Sequence, residues 1–182
     1  MPLLRCLCTP ASLADLRRHF DFLDLLKPYA ERLMRGPSPL SPGERELIAA
    51  YVSGLNSCHY CHGSHTLVAQ GFGVQEGLLE QMLSDIDTAA VPDKLRPLLL
   101  YVRKLTMLPS RLTQADADAV YDTGWDDEAL MHAIAVCAYF NNMNRLVEGS
   151  GIVGSPEIHA LAAEKLVLAG YLSIPQKNRE KV

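Results

Sequence analysis

The sequence predicts an all-α protein on three observations. Apolar residues recur at helical spacing, as in Leu13, Leu16, Phe20 and Leu23, or Leu95, Leu98, Leu99, Val102 and Leu105. The segments that carry them open on capping signals and close on glycines. No stretch shows the apolar–polar alternation of a half-buried strand.

The elements follow in order. "SLAD" from Ser12 places an N-cap with an acid three residues on. Pro28 either starts a second segment or kinks the first, and Gly36 closes it. "SPGE" from Ser41 is a capping box with proline at the first helical position, and its helix is expected through Leu55. A helix starting near Cys58 should end at Gly71 or Gly73, and a shorter one should cover about Gln75 to Leu83. "VPDK" at Val91 and "TQAD" at Thr113 open two more, the second ending at Gly124. The longest is expected from Asp126 to about Glu148 with Gly149 as its stop, and "SPE" at Ser155 starts the last, which ends near Gly170. The tail "SIPQKNREKV" reads as exposed and mobile. Short loops make neighbouring helices antiparallel.

With 182 residues, 48% of them hydrophobic and 21% charged, the chain can bury a sizeable core as one domain or a compact pair of repeats. The expected division is a CxxC-bearing half over about 16–85, a second half over about 91–151, and a C-terminal helix and tail over 155–182. A net charge of -4 with no basic stripe argues against nucleic acid as a partner. No apolar run reaches the ~18 residues that cross a bilayer, so no membrane association is expected. "MPLLRCLCTPASLADL" lacks the hydrophobic region of a signal peptide, which points to a reducing cytoplasm. Five cysteines there argue for reactive or metal-binding roles over structural disulfides.

The chemistry concentrates in "ERELIAAYVSGLNSCHYCHGSH", Glu44 to His65. Residues three apart on a helix hold their Cβ atoms ~5–6 Å apart, and a disulfide wants ~3.5–4.5 Å. Cys58 and Cys61 can therefore bridge with slight loosening, which a first helical turn tolerates. His65 lies one turn after Cys61 on the same face and almost two turns from Cys58. The helix N-terminus favours a thiolate at Cys58; His65 favours one at Cys61 by accepting its proton. These two effects conflict, and residue chemistry alone leaves the attacking cysteine open. Zinc is the competing reading of Cys58, His59, Cys61, His62 and His65. Structural zinc usually takes two separated ligand pairs, and there is one CxxC here and no HxxxH, so no metal is expected. A third reading makes both cysteines small core residues. Glu46 points away from the face formed by Leu47, Ile48, Tyr51, Val52 and Leu55. It is either solvated or, given its small neighbours Ala49, Ala50 and Ser53, enclosed by another helix and able to orient His65.

The spacing "E-x11-C-x-x-C-x-x-x-H" over Glu46, Cys58, Cys61 and His65 resembles the alkylhydroperoxidase D-like branch of the carboxymuconolactone decarboxylase family. "PLSPGERELIAAYVSGLNSCHYCHGSH" and the later "AYFNNMNRLVEG" are similar to its subgroup of peroxidase-related enzymes, and the resemblance runs from about Leu16 to Gly151. It implies repeated helical units in one domain, a homo-oligomer (dimer, trimer or hexamer), and no haem, flavin or metal cofactor. It also implies that Cys61 is peroxidatic, Cys58 resolving, and that His65 passes a proton towards Glu46. The substrate implied is a peroxide, reduced at the expense of a dithiol or protein reductant. Tyr60 departs from the pattern of the founding hydroperoxidases, which carry a histidine there; a phenol can replace its hydrogen bond but is a poor proton acceptor at neutral pH. The alternatives are a decarboxylase-like lyase of the same superfamily, or a non-catalytic redox sensor.

Other residues call for a reason too. Asn141, Asn142 and Asn144 in one helix are expected either to serve helix packing or to place Asn141 or Asn144 in the pocket near Glu46. Arg145 is expected either to share that packing role or to pair with a carboxylate, Cys137 to be a buried inert thiol, and Cys6 and Cys8 to lie in a frayed terminus. Trp125, just before the cap at Asp126, is expected to pack as a staple.

Overall fold

The computed structural model describes residues 2–172; the tail expected to be mobile lies outside them. Among the described residues all regular structure is helical. The helices are α1 (Leu13–His19), α2 (Leu26–Arg35), α3 (Pro42–Leu55), α4 (His59–Gly71), α5 (Leu78–Ser84), α6 (Arg96–Met107), α7 (Gln114–Tyr121), α8 (Asp127–Ser150) and α9 (Pro156–Ala169).

The caps do what their residue types dictate. Ser12 and Ser41 each accept from a backbone N–H three residues on, while Asp15 and Glu44 reach back to the cap N–H. Asp126 Oδ1 accepts from the Ala129 N–H at 2.9 Å to open α8. Boundaries moved where local geometry overrode the pattern. The run from Leu13 to Leu23 breaks at Phe20, and a 3₁₀ turn over Asp21–Leu25 leads into α2. Pro28 then sits in the first turn of α2, where a missing N–H costs nothing, so it starts the helix and does not kink it. Pro92 accepts from Leu95 and Arg96 in a separate turn, which delays α6 to Arg96. The stop of α8 is Gly151 at φ 70°, not Gly149, which lies inside the helix.

Helix α3 is the centre of the molecule. Every residue from Arg45 to Ser53 is buried. It packs on α4, α8, α6 and α5, and α9 covers the far side of α4. The α3–α4 turn places Ser57 at φ 56°, a left-handed conformation that a serine adopts only under constraint. The Cys58 N–H donates to Ser53 O at 2.9 Å and closes that turn. On α4, a Cβ at Gly63 would run into the His159 ring of α9, so the glycine permits the close approach. The main core joins α2, α3, α5, α6 and α8, while a second cluster of Leu7, Ala11, Leu16, Leu23, Val147 and Ile152 encloses Cys58 and Cys61. No helix among the described residues is long and apolar enough to cross a membrane.

Because α3 carries Glu46, its cap is a direct lever on the fold. Ser41→Ala should lower stability by about 1 kcal/mol and the Tm by roughly 2–4 °C, read by thermal unfolding followed by circular dichroism. An unchanged Tm would mean that tertiary packing alone sets the start of α3.

Candidate active site

Glu46 is enclosed, with 0% of its surface exposed. Its Oε2 accepts from His65 Nδ1 at 2.6 Å. Its Oε1 accepts from Arg35 Nη1 at 2.7 Å and from the Tyr171 hydroxyl at 2.9 Å. Burial pushes the carboxyl towards neutrality, but the charge and hydrogen bonds of His65 and Arg35 outweigh it and hold Glu46 below its ordinary range. Arg35 in turn donates to Leu166 O at 3.1 Å and lies over the rings of Phe72 and Tyr171. The His65 ring meets Phe140 edge-on at 4.5 Å and lies parallel to Tyr171. With Nδ1 committed to Glu46, Nε2 is the nitrogen left to exchange protons in the cavity that His65 lines.

The two cysteines are buried free thiols at the start of α4. Cys58 is the N-cap and Cys61 the third helical residue, so the helix N-terminus acts on both and does not single out Cys58. What separates them is the effect of each on the other. The neighbouring Cys61 raises Cys58, which burial and Glu148 raise further. The neighbouring Cys58 lowers Cys61, and against burial His65 and Asn144 add to that lowering. Cys61 is therefore the sulfur predisposed to be a thiolate.

Cys61 and His65 line a cavity of about 270 Å³ together with Tyr60, Tyr139, Phe140, Met143 and residues of α1 and α9. Burial pushes the Tyr60 phenol up, and the Tyr139 phenol up to about 12, so both face the cavity as neutral groups. Asn141 and Asn144 do not line it. Asn144 donates to Ser53 Oγ at 2.9 Å and accepts from Asn56, and Asn141 bonds Cys137 O and Asn56, so the pair ties α8 to α3. Arg145 does not pair with a carboxylate; it bonds the Asn141 backbone and side-chain oxygens. Trp125 packs against the main core and also donates to Lys94 O at 2.9 Å under the Lys94 ammonium, a tie to the start of α6. His59 is exposed and His62 turns its Nδ1 to Ala50 O. Among the described residues no three His, Cys, Asp or Glu side chains converge as an ion cage.

The model of the carboxymuconolactone decarboxylase family matches residues 21–96, the span that holds Arg35, Glu46, both site cysteines and His65. Two solved structures share the fold. One is an uncharacterized peroxidase-related protein from Silicibacter sp. TM1040, 25% identical, with 81% of this chain and 78% of that one covered at a TM-score of 0.74. The other, an alkylhydroperoxidase AhpD core described as an uncharacterized peroxidase-related protein from Ralstonia eutropha JMP134, is 24% identical over the same shares at 0.74. No curated protein matches the sequence.

Two residues of the site escaped the sequence reading. Arg35 precedes the closing Gly36 of α2 and looks like an ordinary last-turn cation. Tyr171 follows Gly170, whose φ of 66° turns the chain back, while Glu31 Oε2 accepts from the Tyr171 N–H at 2.6 Å and aims the ring inward. An aromatic directly after a C-capping glycine was the available signal.

A buried carboxylate whose folded pKa is depressed stabilises the fold above its ordinary value of 4.5, and that contribution is lost as pH falls through the lower folded value. Glu46→Gln should therefore cost about 3 kcal/mol at neutral pH by leaving Arg35 without its counter-charge. The gap from the parent should shrink as pH drops below 4.5. Urea unfolding across pH measures this; a gap independent of pH would show that the charge of Glu46 contributes nothing.

Proposed function

We propose that the chain is a thiol-dependent peroxidase that reduces hydroperoxides through Cys61 and Cys58. The carrying observation is Cys61: a thiol held low beside a second thiol, in a cavity it shares with a histidine bonded to a buried carboxylate. The Cys61 thiolate attacks the outer oxygen of the hydroperoxide, and the O–O bond breaks. The alkoxide leaves with a proton passed by His65, while Cys61 becomes a sulfenic acid. The Cys58 thiol then displaces water from Cys61 and forms the disulfide, and an external dithiol or protein reductant restores both thiols by exchange. Glu46 orients His65 and balances its charge when it holds the proton. The neutral phenol of Tyr60 can donate to the peroxide but does not serve as a base. A lyase reading rests on the family's name alone, and the paired cysteines speak against it.

Single-turnover thiol oxidation tests the assignment. Cys61→Ser should not react with peroxide. Cys58→Ser should react once and stop at the sulfenic acid. Glu46→Gln and His65→Gln should slow the oxidation at least about tenfold. If Cys61→Ser still reacts while Cys58→Ser does not, the two roles are reversed.

A homo-oligomer is the second part of the proposal. Helix α9 and the turn after it leave Leu161, Leu168 and Leu172 between 52% and 78% exposed, and Phe22 and Leu25 add to the apolar surface. Light scattering at low micromolar concentration should give at least a dimer; a stable 20.0 kDa monomer would overturn this part.

A further inference from the structure

Arg17 of α1 is 7% exposed, and its side chain lines the same cavity as Cys61 and His65. Its Nη1 is buried and has no hydrogen-bond partner among the described residues. Burial pushes the guanidinium down, against the attraction of Tyr139, Asp24 and Tyr60. Asp24 forms no ion pair with Arg17 among the described residues; its carboxylate lies 2.8 Å from the Lys27 ammonium. Lys165 of α9 also lines the cavity, and among its described lining residues none is acidic. The rest of the wall is largely apolar, as at Leu13, Met143, Ile158 and Leu166.

A buried cation with an unmet donor is expensive for a fold, and a protein that keeps one in an apolar cavity is suited to an anion that completes it. Arginine offers a planar fork that matches a carboxylate in two parallel hydrogen bonds. Arg17, Tyr60, Tyr139 and Cys61 line the same cavity, so one bound molecule can meet both the guanidinium and the reactive sulfur. Resting on the peroxidase reading, we propose that the cavity takes an amphiphilic carboxylate, a hydroperoxide with an apolar body and one carboxylate, anchored by Arg17 with its peroxide directed at Cys61. Arg17 selects the substrate, and Cys61 carries out the chemistry.

Calorimetric titration of the wild-type protein with octanoate and with octanamide tests the anchor without any turnover. Octanoate should bind at least about tenfold tighter, the scale of one charged hydrogen bond. Arg17→Met should abolish that preference, and Arg17→Lys should retain part of it. Equal binding of acid and amide to the wild type, or a preference that survives in Arg17→Met, overturns the proposal. The second arm compares a fatty-acid hydroperoxide with cumene hydroperoxide. Arg17→Met should lose at least about tenfold more kcat/KM on the acid than on the neutral substrate, through KM; equal losses overturn the proposal. If octanoate is preferred yet no hydroperoxide oxidises Cys61, the anion site stands and the peroxidase reading falls.

Discussion

A carboxylate with no exposed surface must have its charge answered inside the protein, and Glu46 is answered from three separate segments. Arg35 comes from α2, His65 from α4, and Tyr171 from the turn after α9. In the low dielectric of the interior these bonds are strong, and the loss of any member leaves a desolvated group unpaired. The network therefore locks α2, α3, α4 and the end of α9 into one arrangement. It also fixes the His65 ring, wedged against Phe140 and stacked over Tyr171, with one defined nitrogen free for proton exchange.

The asymmetry of the two thiols follows from this frame. Burial alone would raise both. Cys61 escapes because the neighbouring Cys58 thiol, the His65 ring one turn away and Asn144 of α8 favour its charged form. The same asparagine bonds Ser53 and Asn56 at the α3–α4 turn, so the residues that set the turn also set the thiol. Of the two thiols it is Cys61, the one held low, that lines the cavity.

The helices were legible in the sequence because their caps are explicit: Ser41 with Glu44, Ser12 with Asp15, and Asp126 each mark a start that the structure has. The proximity of Cys58, Cys61 and His65 was legible too, since it is local to one helix. The surroundings of Glu46 were not. A helical wheel gives α3 one apolar face, but the structure buries it all round, and the partners that permit this lie 11, 19 and 125 residues away. The carboxylate pairing, one of two readings of Arg145, failed for the opposite reason: among the described residues its partner is a carbonyl one turn back, Asn141 O at 2.7 Å. Arg17 gave no sequence signal at all, because on a seven-residue helix between Leu16 and Arg18 it reads as a surface cation.

The central claim is that the buried Glu46–His65 pair, together with Cys58, prepares a thiolate at Cys61. Thiolate absorbance in the ultraviolet, titrated in the Cys6, Cys8 and Cys137 triple serine variant, measures it directly. The account predicts one thiol ionising below the ordinary value of 9.0, lost in Cys61→Ser, and a second ionising above it. It predicts that His65→Gln moves the first titration upward. Two thiols ionising together at or above 9.0, indifferent to His65, would contradict the account.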